Sequence, residues 1–540
     1  MRLAHWGGRA AVIVALAAVL AAPWLWERFF VLEIVGVAAL LAFSVGRSGW
    51  QGEAQILATV ALALAGAFHW APVLLAGAMR AHWSLGVLAA APFVLWDAAR
   101  VSLPFWCVAR LVRDPRDAWL PAALTVVVTE AIFPAVFPWK IGYSQIAWPL
   151  AIQAADLFGP ETPSFVLFAH AGAIISLVAA VALSWRGVRA AARLFTPVGL
   201  AAIAVAIANA IYGGWAVGHH ARLMAAAPQI DVALVQVDPG QEGATDTLRR
   251  LSREAIAARP RPFDLVCWPE CTGGCYHHDL HSFRDAEALK TLSRDQDGGM
   301  RPLESAGCPL LFGGKIYTGY PEKPRELYQA AILADAREDV VGHYRKRHLM
   351  PFGEYVLGAD AVPELRAVFP LSEEFDAGQE ATVLSVDGTT RLGVMLCYEE
   401  VVPSTARSLV AESATLLVTL LNGAAFPDPL TLSQQRRLAQ LRAVENRRCL
   451  LRCASTGETC VVSPLGGVVA AIPVKTQGVL TATVPLLEVR TLASRIGLAF
   501  PVVCGAALAG LCLLRMEWPW PRDAFPAAPG AGLLEGKTLT

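Results

Sequence analysis

Charged residues are scarce in this chain of 540 residues, where Asp, Glu, Lys and Arg together make up 17%. Soluble globular proteins carry about 25% charged residues, so the composition argues against a wholly soluble protein. A net charge is also lacking, because 45 basic residues balance 45 acidic ones, and a nucleic-acid-binding chain is not indicated. The absence of any short repeat excludes collagen-like and low-complexity classes. Disorder is excluded by a hydrophobic content of 55%.

Long apolar runs, in contrast, fill the first 217 residues, and the mean hydropathy of the chain is +0.46. Each run is long enough to cross ~30 Å of hydrocarbon as a helix. We therefore expect seven membrane spans, near 9–26, 29–46, 54–72, 83–108, 117–137, 163–184 and 196–217. An eighth span is expected at 496–514. The predicted organisation is a membrane domain over 1–217, a folded domain over 218–490, and a last span with a cytoplasmic tail over 491–540.

The distribution of Lys and Arg in short loops predicts the orientation of these spans. With the N-terminus in the cytoplasm, only Arg28, Arg80 and Lys140 lie in the short loops of the opposite side. The cytoplasmic side then holds Arg2, Arg9, Arg47, Arg110, Arg113, Arg116, Arg186, Arg189, Arg193, Arg515, Arg522 and Lys537. An odd number of spans before residue 218 therefore predicts that the folded domain is extracytoplasmic. The first apolar run also imitates a secretory signal, but the spans that follow closely favour an uncleaved helix.

The folded domain has the pattern of an α/β protein. Short apolar runs typical of buried strands lie at 232–235, 265–268, 310–312, 330–333, 392–396, 415–419 and 449–454. Helical patterns such as 247–258 and 433–446 alternate with them, which predicts sheets covered by helices. Catalytic residues in such domains tend to lie at the carboxyl ends of strands.

Three residues with catalytic chemistry occupy positions of that kind. Glu270 follows a strand and Pro269, and partial desolvation there suits a general base. Cys397 follows the strand at 392–396, where a deprotonated thiol can attack a carbonyl carbon, and Lys346 lies in a cationic segment. Each residue alone also has a structural interpretation: Glu270 as a helix N-cap or a loop charge, Lys346 as one cation of a solvated face, and Cys397 as an inert buried thiol.

Taken together, the motifs around these residues resemble a known family. They read Trp-Pro-Glu at 268–270, Tyr-Arg-Lys-Arg-His-Leu-Met-Pro-Phe-Gly-Glu-Tyr at 344–355 and Leu-Cys-Tyr-Glu at 396–399. This order resembles the carbon–nitrogen hydrolase (nitrilase) superfamily and, more narrowly, its apolipoprotein N-acyltransferase family. Phe-Pro-Trp-Lys-Ile-Gly-Tyr-Ser-Gln at 137–145 is similar to the loop after that family's fifth span. The resemblance implies an αββα nitrilase-like sandwich, and the expected seven-plus-one topology is also the family's.

The resemblance also implies roles for individual residues. Glu270 is expected to be the general base, Cys397 the nucleophile, and Lys346 the cation that stabilises the tetrahedral oxyanion. The supporting residues implied are Glu354, near the lysine, and Tyr398 with Glu399, after the nucleophile. Asn422 and the segment Ser455 to Gly457 also match family segments. For these residues we favour a role in stabilising turns over a functional role.

The activity of the family that the chain resembles gives the expected function. It implies that Cys397 takes an acyl chain from a phospholipid, such as phosphatidylethanolamine, and passes it to the N-terminal amine of a diacylglyceryl-cysteine on an apolipoprotein. This is the last step of bacterial lipoprotein maturation, on the periplasmic side of the inner membrane. Two alternatives stay open: a membrane-tethered amidase that transfers the acyl group to water, and a lipoprotein-binding paralogue without turnover.

Departures from the family pattern lie outside the three catalytic positions. Val237, Asp238 and Pro239 follow Gln236 where the family has Gly-Asn-Ile, and Phe133 stands three residues after Glu130 where an Arg is usual. The resemblance implies no metal or other cofactor. Cys271 and Cys275 with the histidines that follow have a spacing that zinc tolerates, but no second ligand pair with standard spacing accompanies them.

Overall fold

The N-terminal half of the chain is helical. The computed structural model describes residues 2–188, 194–238, 244–270, 275–277, 307–318, 326–424, 426 and 428–517. The α-helices of this half are Arg2–Leu25, Phe30–Ser44, Trp50–Ala67, Ala71–Ala78, Trp83–Leu111, Trp119–Ile132, Pro149–Ile152, Ala155–Phe158, Thr162–Trp185 and Pro197–Ala226. A helix therefore lies over each of the seven apolar segments predicted there.

Not all of these helices are long enough to be spans by themselves. Four pass a test of length and hydropathy, within Gly8–Leu25, Trp83–Leu111, Thr162–Trp185 and Pro197–Ala226. Trp50–Ala67 and Ala71–Ala78 pass only as a pair, which is bent by 65°. The helices over 29–46 and 117–137 have 15 and 14 residues, fewer than the about 20 that a straight crossing needs. By this measure the described residues contain four spans, or five with the bent pair, and eight spans stay a prediction.

The C-terminal half contains thirteen described strands. They are β1 (Gln229–Gln236), β2 (Leu265–Cys267), β3 (Cys275–His277), β4 (Leu310–Thr318), β5 (Glu326–Ala334), β6 (Val340–Arg345), β7 (Val383–Ser385), β8 (Arg391–Leu396), β9 (Leu416–Asn422), β10 (Leu450–Ser455), β11 (Thr459–Val462), β12 (Val468–Ile472) and β13 (Gly478–Pro485). Helices here are Ala244–Ala257, Leu365–Val368, Pro403–Ala411, Pro429–Asn446, Leu492–Ile496 and Ala499–Glu517.

The strands form two sheets, each built around three parallel strands. The first has the order β13-β1-β2-β4-β5-β6, with β3 also paired to β4, and β1, β2 and β4 are parallel. The second has the order β12-β11-β10-β9-β8-β7, with β8, β9 and β10 parallel. The apolar runs predicted as strands all coincide with β1, β2, β4, β5, β8, β9 and β10.

The sheets pack face to face and are covered by helices on their outer sides. One apolar cluster joins side chains of both sheets, such as Val232 and Leu234 on β1 with Val394 and Leu420 on β8 and β9. The Ala244–Ala257 helix covers the outer face of the first sheet through Leu248. Pro403–Ala411 and Pro429–Asn446 cover the second sheet. These four layers are the αββα arrangement that the resemblance implies.

The outermost helix of this sandwich also contacts the N-terminal helical half. Ala439 and Ala443 of Pro429–Asn446 belong to the cluster between the sheets and their covering helices, whereas Leu438, Leu441 and Val444 belong to the apolar core of the N-terminal helices. One helix therefore packs against both halves of the chain.

Candidate active site

The three residues expected to be catalytic lie at the ends of three different strands. Glu270 lies three residues after β2, Lys346 directly follows β6, and Cys397 directly follows β8. All three side chains are at least nine-tenths buried, with relative exposures of 5%, 0% and 7% respectively. The topology therefore brings together residues that are separated by up to 127 positions in the sequence, one of them from the second sheet.

Lys346 holds its ammonium group between two carboxylates. Its Nζ lies 2.6 Å from Oε1 of Glu354 and 3.5 Å from Oε1 of Glu270. Burial works to lower the pKa of this lysine, but the two carboxylates outweigh burial and raise the pKa above its usual range. The residue is therefore a fixed, fully buried cation.

Glu270 keeps one carboxylate oxygen available. Oε2 accepts a hydrogen bond from the backbone N–H of Asn422 at 3.1 Å. Among the described residues Oε1 has no hydrogen-bond partner, although it faces the ammonium of Lys346. Burial raises the pKa of Glu270, and the positive charge of Lys346 opposes that rise only in part. A carboxylate with a free lone pair and a raised pKa is suited to accept a proton.

Cys397 lies at a sharp backbone turn. Its φ is +47°, a left-handed backbone conformation that residues other than Gly and Asn adopt rarely. The 3₁₀ turn Cys397–Val401 follows directly, and the thiol shares an apolar cluster with Leu421 and Ala454. Burial, and then the negative charge of Glu270, raise the pKa of Cys397 well above its usual range. The resting residue is therefore a neutral thiol, which needs a base to become a nucleophile.

Glu399 ties the nucleophile turn to the lysine segment. Its Oε1 accepts hydrogen bonds from the hydroxyl of Tyr344 at 2.7 Å and from the backbone N–H groups of Arg347 and His348 at 2.8 and 3.1 Å. Oε2 accepts from the N–H of Leu396 at 2.9 Å. The residues on both sides of Lys346 and the residue before Cys397 are thereby held by one buried carboxylate.

Glu354 and Tyr398 connect the site to its surroundings. The second oxygen of Glu354 accepts from the N–H of Met350 at 2.8 Å, which keeps this carboxylate aimed at Lys346. The hydroxyl of Tyr398 donates a hydrogen bond to the carbonyl of Val136 in the N-terminal helical half. Its ring lies 6.0 Å from that of Phe137, edge to face. The residue next to the nucleophile is therefore bonded to the N-terminal helical half.

All six residues predicted from the sequence thus converge on one place. Asn422, which we expected to stabilise a turn, does so: its Oδ1 accepts a hydrogen bond from the backbone N–H of Ala424 at 3.0 Å. Its backbone contact with Glu270 was missed, as was the bond from Tyr344 to Glu399. Neither contact can be recognised in the sequence, apart from the fact that its residues lie at the ends of strands. Both contacts depend on which strands become neighbours.

The zinc spacing considered above lies largely outside the described part of the chain. Cys271 and His278 are not among the described residues, and nothing is assigned to them. Within the described ranges no group of three or more His, Cys, Asp or Glu side chains is arranged to hold a metal ion.

Known proteins share both halves of this chain. The carbon–nitrogen hydrolase family matches residues 231–494. An apolipoprotein N-acyltransferase of Geobacter metallireducens is 28% identical over 470 residues, which cover 84% of each chain. A second, from Azotobacter vinelandii, is 30% identical over 448 residues and 79% of each chain. Among solved structures, an amidase from Nesterenkonia sp. is 22% identical and covers 48% of this chain and 91% of its own, with a TM-score of 0.33.

The match to these relatives extends well beyond the carbon–nitrogen hydrolase domain, because 470 aligned residues exceed the 264 residues of the range 231–494. This chain therefore belongs to the apolipoprotein N-acyltransferase family of the carbon–nitrogen hydrolase superfamily.

Proposed function

We propose that this protein transfers a fatty acyl chain from a phospholipid to the N-terminal amine of diacylated apolipoproteins, through a thioester on Cys397. The observation that carries the proposal is the buried ammonium of Lys346 between two carboxylates, beside a thiol whose neighbour Tyr398 is bonded to the membrane half. The names of the relatives support the acyltransferase class. Phosphatidylethanolamine is the donor that the family resemblance favours.

The first half-reaction makes the thioester. Glu270 takes the proton of the Cys397 thiol as the sulfur attacks the ester carbonyl carbon of the phospholipid. The oxyanion that forms is stabilised by the ammonium of Lys346, an effect that is typically worth about 10²–10³ in kcat for one donor. Collapse of the tetrahedral intermediate breaks the ester C–O bond, and the departing lysophospholipid oxygen receives the proton from Glu270.

The second half-reaction uses the same groups in reverse order. The α-amine of the diacylglyceryl-cysteine attacks the thioester carbonyl, and Glu270 takes the proton that the amine loses. The C–S bond breaks, an amide is formed, and the Cys397 sulfur recovers its proton from Glu270. Because both lipids need the space beside Cys397, the reaction is expected to be ping-pong.

The membrane arrangement belongs to the same proposal. We place eight spans in the inner membrane, a membrane domain over 1–217, and the catalytic domain over 218–490 on the periplasmic side, where diacylated lipoproteins are exposed. The excess of Lys and Arg on the other side supports this orientation. Both substrates then keep their chains in the bilayer, which avoids a cost of about 0.8 kcal/mol for each CH₂ brought into water.

Incubating the purified protein with labelled phospholipid, before and after a diacylated lipopeptide is added, tests the function. We expect a burst of about one equivalent of lysophospholipid without acceptor, a hydroxylamine-sensitive acyl adduct on Cys397, and triacylated peptide after the addition. Cys397→Ala should form no adduct, whereas Cys267→Ala, which removes another buried thiol, serves as the matched control. Release of free fatty acid would instead identify a hydrolase, and no burst in the unmodified protein would exclude the ping-pong order.

A further inference from the structure

The third apolar segment of the membrane half contains a break. The helix Trp50–Ala67 ends, the chain turns through 65°, and the helix Ala71–Ala78 begins. Backbone carbonyls in the last turn of a helix have no amide partner within that helix. A break inside an apolar domain therefore leaves polar groups that other residues have to satisfy.

A side chain of the catalytic half satisfies one of them, the carbonyl of Ala67. Gln434, which is 3% exposed, donates from Nε2 to the carbonyl of Ala67 at 2.9 Å and to that of Trp24 at 3.1 Å. Its Oε1 accepts from the indole N–H of Trp70 at 2.9 Å. Trp24 lies near the end of the first helix, Ala67 at the end of the third, and Trp70 within the break. One amide thereby uses both its donors and its acceptor to join three points of the membrane domain.

The helix beyond the break supports the segment that carries Glu354. Leu75 and Ala78, with Met79 directly after the helix, pack against the cluster of Val356, Ala359 and Phe369, which Phe352 and Leu365 also contact. Phe352 lies between Met350 and Glu354 in the sequence. The backbone N–H of Met350 donates a hydrogen bond to the carboxylate of Glu354, which keeps that carboxylate aimed at Lys346. A shift of the Ala71–Ala78 helix would therefore be felt at Lys346, at the far end of this chain of contacts.

A second set of contacts leads from the break to the nucleophile. The ring of Trp70 lies 6.2 Å from Phe137, edge to face, and Phe137 lies 6.0 Å from Tyr398. Tyr398 directly follows Cys397. Both sets of contacts start at groups that Gln434 holds, and both end at residues of the candidate active site.

Resting on the proposed function, we infer that Gln434 is a positioning residue for the acyl transfer, which acts by fixing the break at Phe68–Trp70 and, through it, the helix Ala71–Ala78 against the segment that carries Glu354. It touches no reacting atom. Through the two sets of contacts, its hydrogen bonds hold the segment that carries Glu354 and the ring of Tyr398, which directly follows Cys397.

Two rates measured on the same protein test this role. Gln434→Met keeps the approximate length of the side chain but removes its three hydrogen bonds. We expect alkylation of Cys397 by iodoacetamide, followed on its peptide by mass spectrometry, to become several-fold faster, because Tyr398 and the segment that carries Glu354 are held less firmly beside the buried thiol. Acylation of Cys397 by phospholipid should slow by at least about tenfold, since small misplacements at a site are costly to the rate. The control is Gln435→Met, because the Oε1 of Gln435 has no hydrogen-bond partner among the described residues; it should change both rates less than twofold.

A second variant keeps the test decisive if Gln434→Met does not fold. Leu75→Ala leaves the bonds of Gln434 intact but weakens the contact of the Ala71–Ala78 helix with the segment that carries Glu354. It should also raise the alkylation rate, and in combination with Gln434→Met the two effects should be smaller than additive, as expected for residues acting along one route. Slower acylation with unchanged alkylation in both variants, or additive effects, would overturn the inference. Alkylation needs no lipid, so it remains informative even if the protein transfers nothing to lipopeptides.

Discussion

Single residues carry the charge balance of the site. The carboxylates of Glu270 and Glu354 face one ammonium, that of Lys346. A thiolate at Cys397 would add a further negative charge to a buried place that already holds two, and both burial and Glu270 raise the pKa of that thiol. The sulfur is therefore best deprotonated only as it attacks, with its proton moving to Glu270. The protonation state of Glu270 then governs the reaction.

The pH dependence of acylation follows from that conclusion. Burial raises the pKa of Glu270 above its ordinary value of 4.5, so the base is lost as the pH falls through a value higher than 4.5. Lys346 has a raised pKa and stays protonated on the alkaline side. We expect the burst rate to fall on acidification with a midpoint above pH 4.5. Glu270→Gln should lower the rate by about 10²–10⁴ and remove that acid limb. A midpoint at or below 4.5, or an unchanged limb in the variant, would assign the titration to another group.

At the scale of elements, a buried ion pair joins the nucleophile turn to β10. Arg452 Nε lies 3.1 Å from both oxygens of Glu400, and its Nη2 lies 3.0 Å from Oε1. Both side chains are 0% exposed. Such a pair fixes the 3₁₀ turn Cys397–Val401 against the strand, because breaking it leaves one charge buried without a partner.

Removing one partner is therefore expected to be costly. Arg452→Met should lower the free energy of unfolding by about 3–5 kcal/mol, and combining it with Glu400→Leu should restore part of that loss. Thermal unfolding in detergent, followed by tryptophan fluorescence, measures both variants. The matched control is Arg250→Met in the exposed pair with Glu254, where the partners are 57% and 59% exposed and the change should stay within about 0.5 kcal/mol. Equal tolerance of the two arginine substitutions would show that the turn is held by other contacts.

The elements also show what a sequence can and cannot predict. The parallel strands β1, β2, β4, β8, β9 and β10 are continuous apolar runs, and buried strands of that kind are recognisable. In contrast, β12 and β13 were missed; they are half-exposed edge strands, and the apolar run of β12 is only five residues long. The break after Ala67 was missed as well, because the carbonyl that it leaves at Ala67 is bonded to Gln434, a residue 367 positions away.

The same limit applies to the whole molecule, where the two halves meet. Several arginines of the Pro429–Asn446 helix and of the residues directly after it are buried against the N-terminal helical half. Arg437 Nε lies 2.8 Å from Oε1 of Glu27, and Arg447 Nη2 lies 2.6 Å from Oδ2 of Asp156. Hydrophobic periodicity cannot anticipate such partners, since it describes one element at a time and these contacts span about 290 to 410 residues. The family resemblance supplied the triad, but not this interface.

The orientation of the whole molecule is the last prediction. The positive-inside bias places residues after the Pro197–Ala226 helix outside the cytoplasm, because an odd number of spans precedes them. Alkaline phosphatase, which is active only outside the cytoplasm, should therefore be active when fused after Pro228 and inactive when fused after Arg186 or Arg515. Fluorescent-protein fusions at the same three points are the control and should give the opposite pattern. If phosphatase were active only after Arg186 and Arg515, the candidate active site would face the cytoplasm, away from exported diacylated lipoproteins, and the proposed acceptor would be wrong even with the Cys397 chemistry intact.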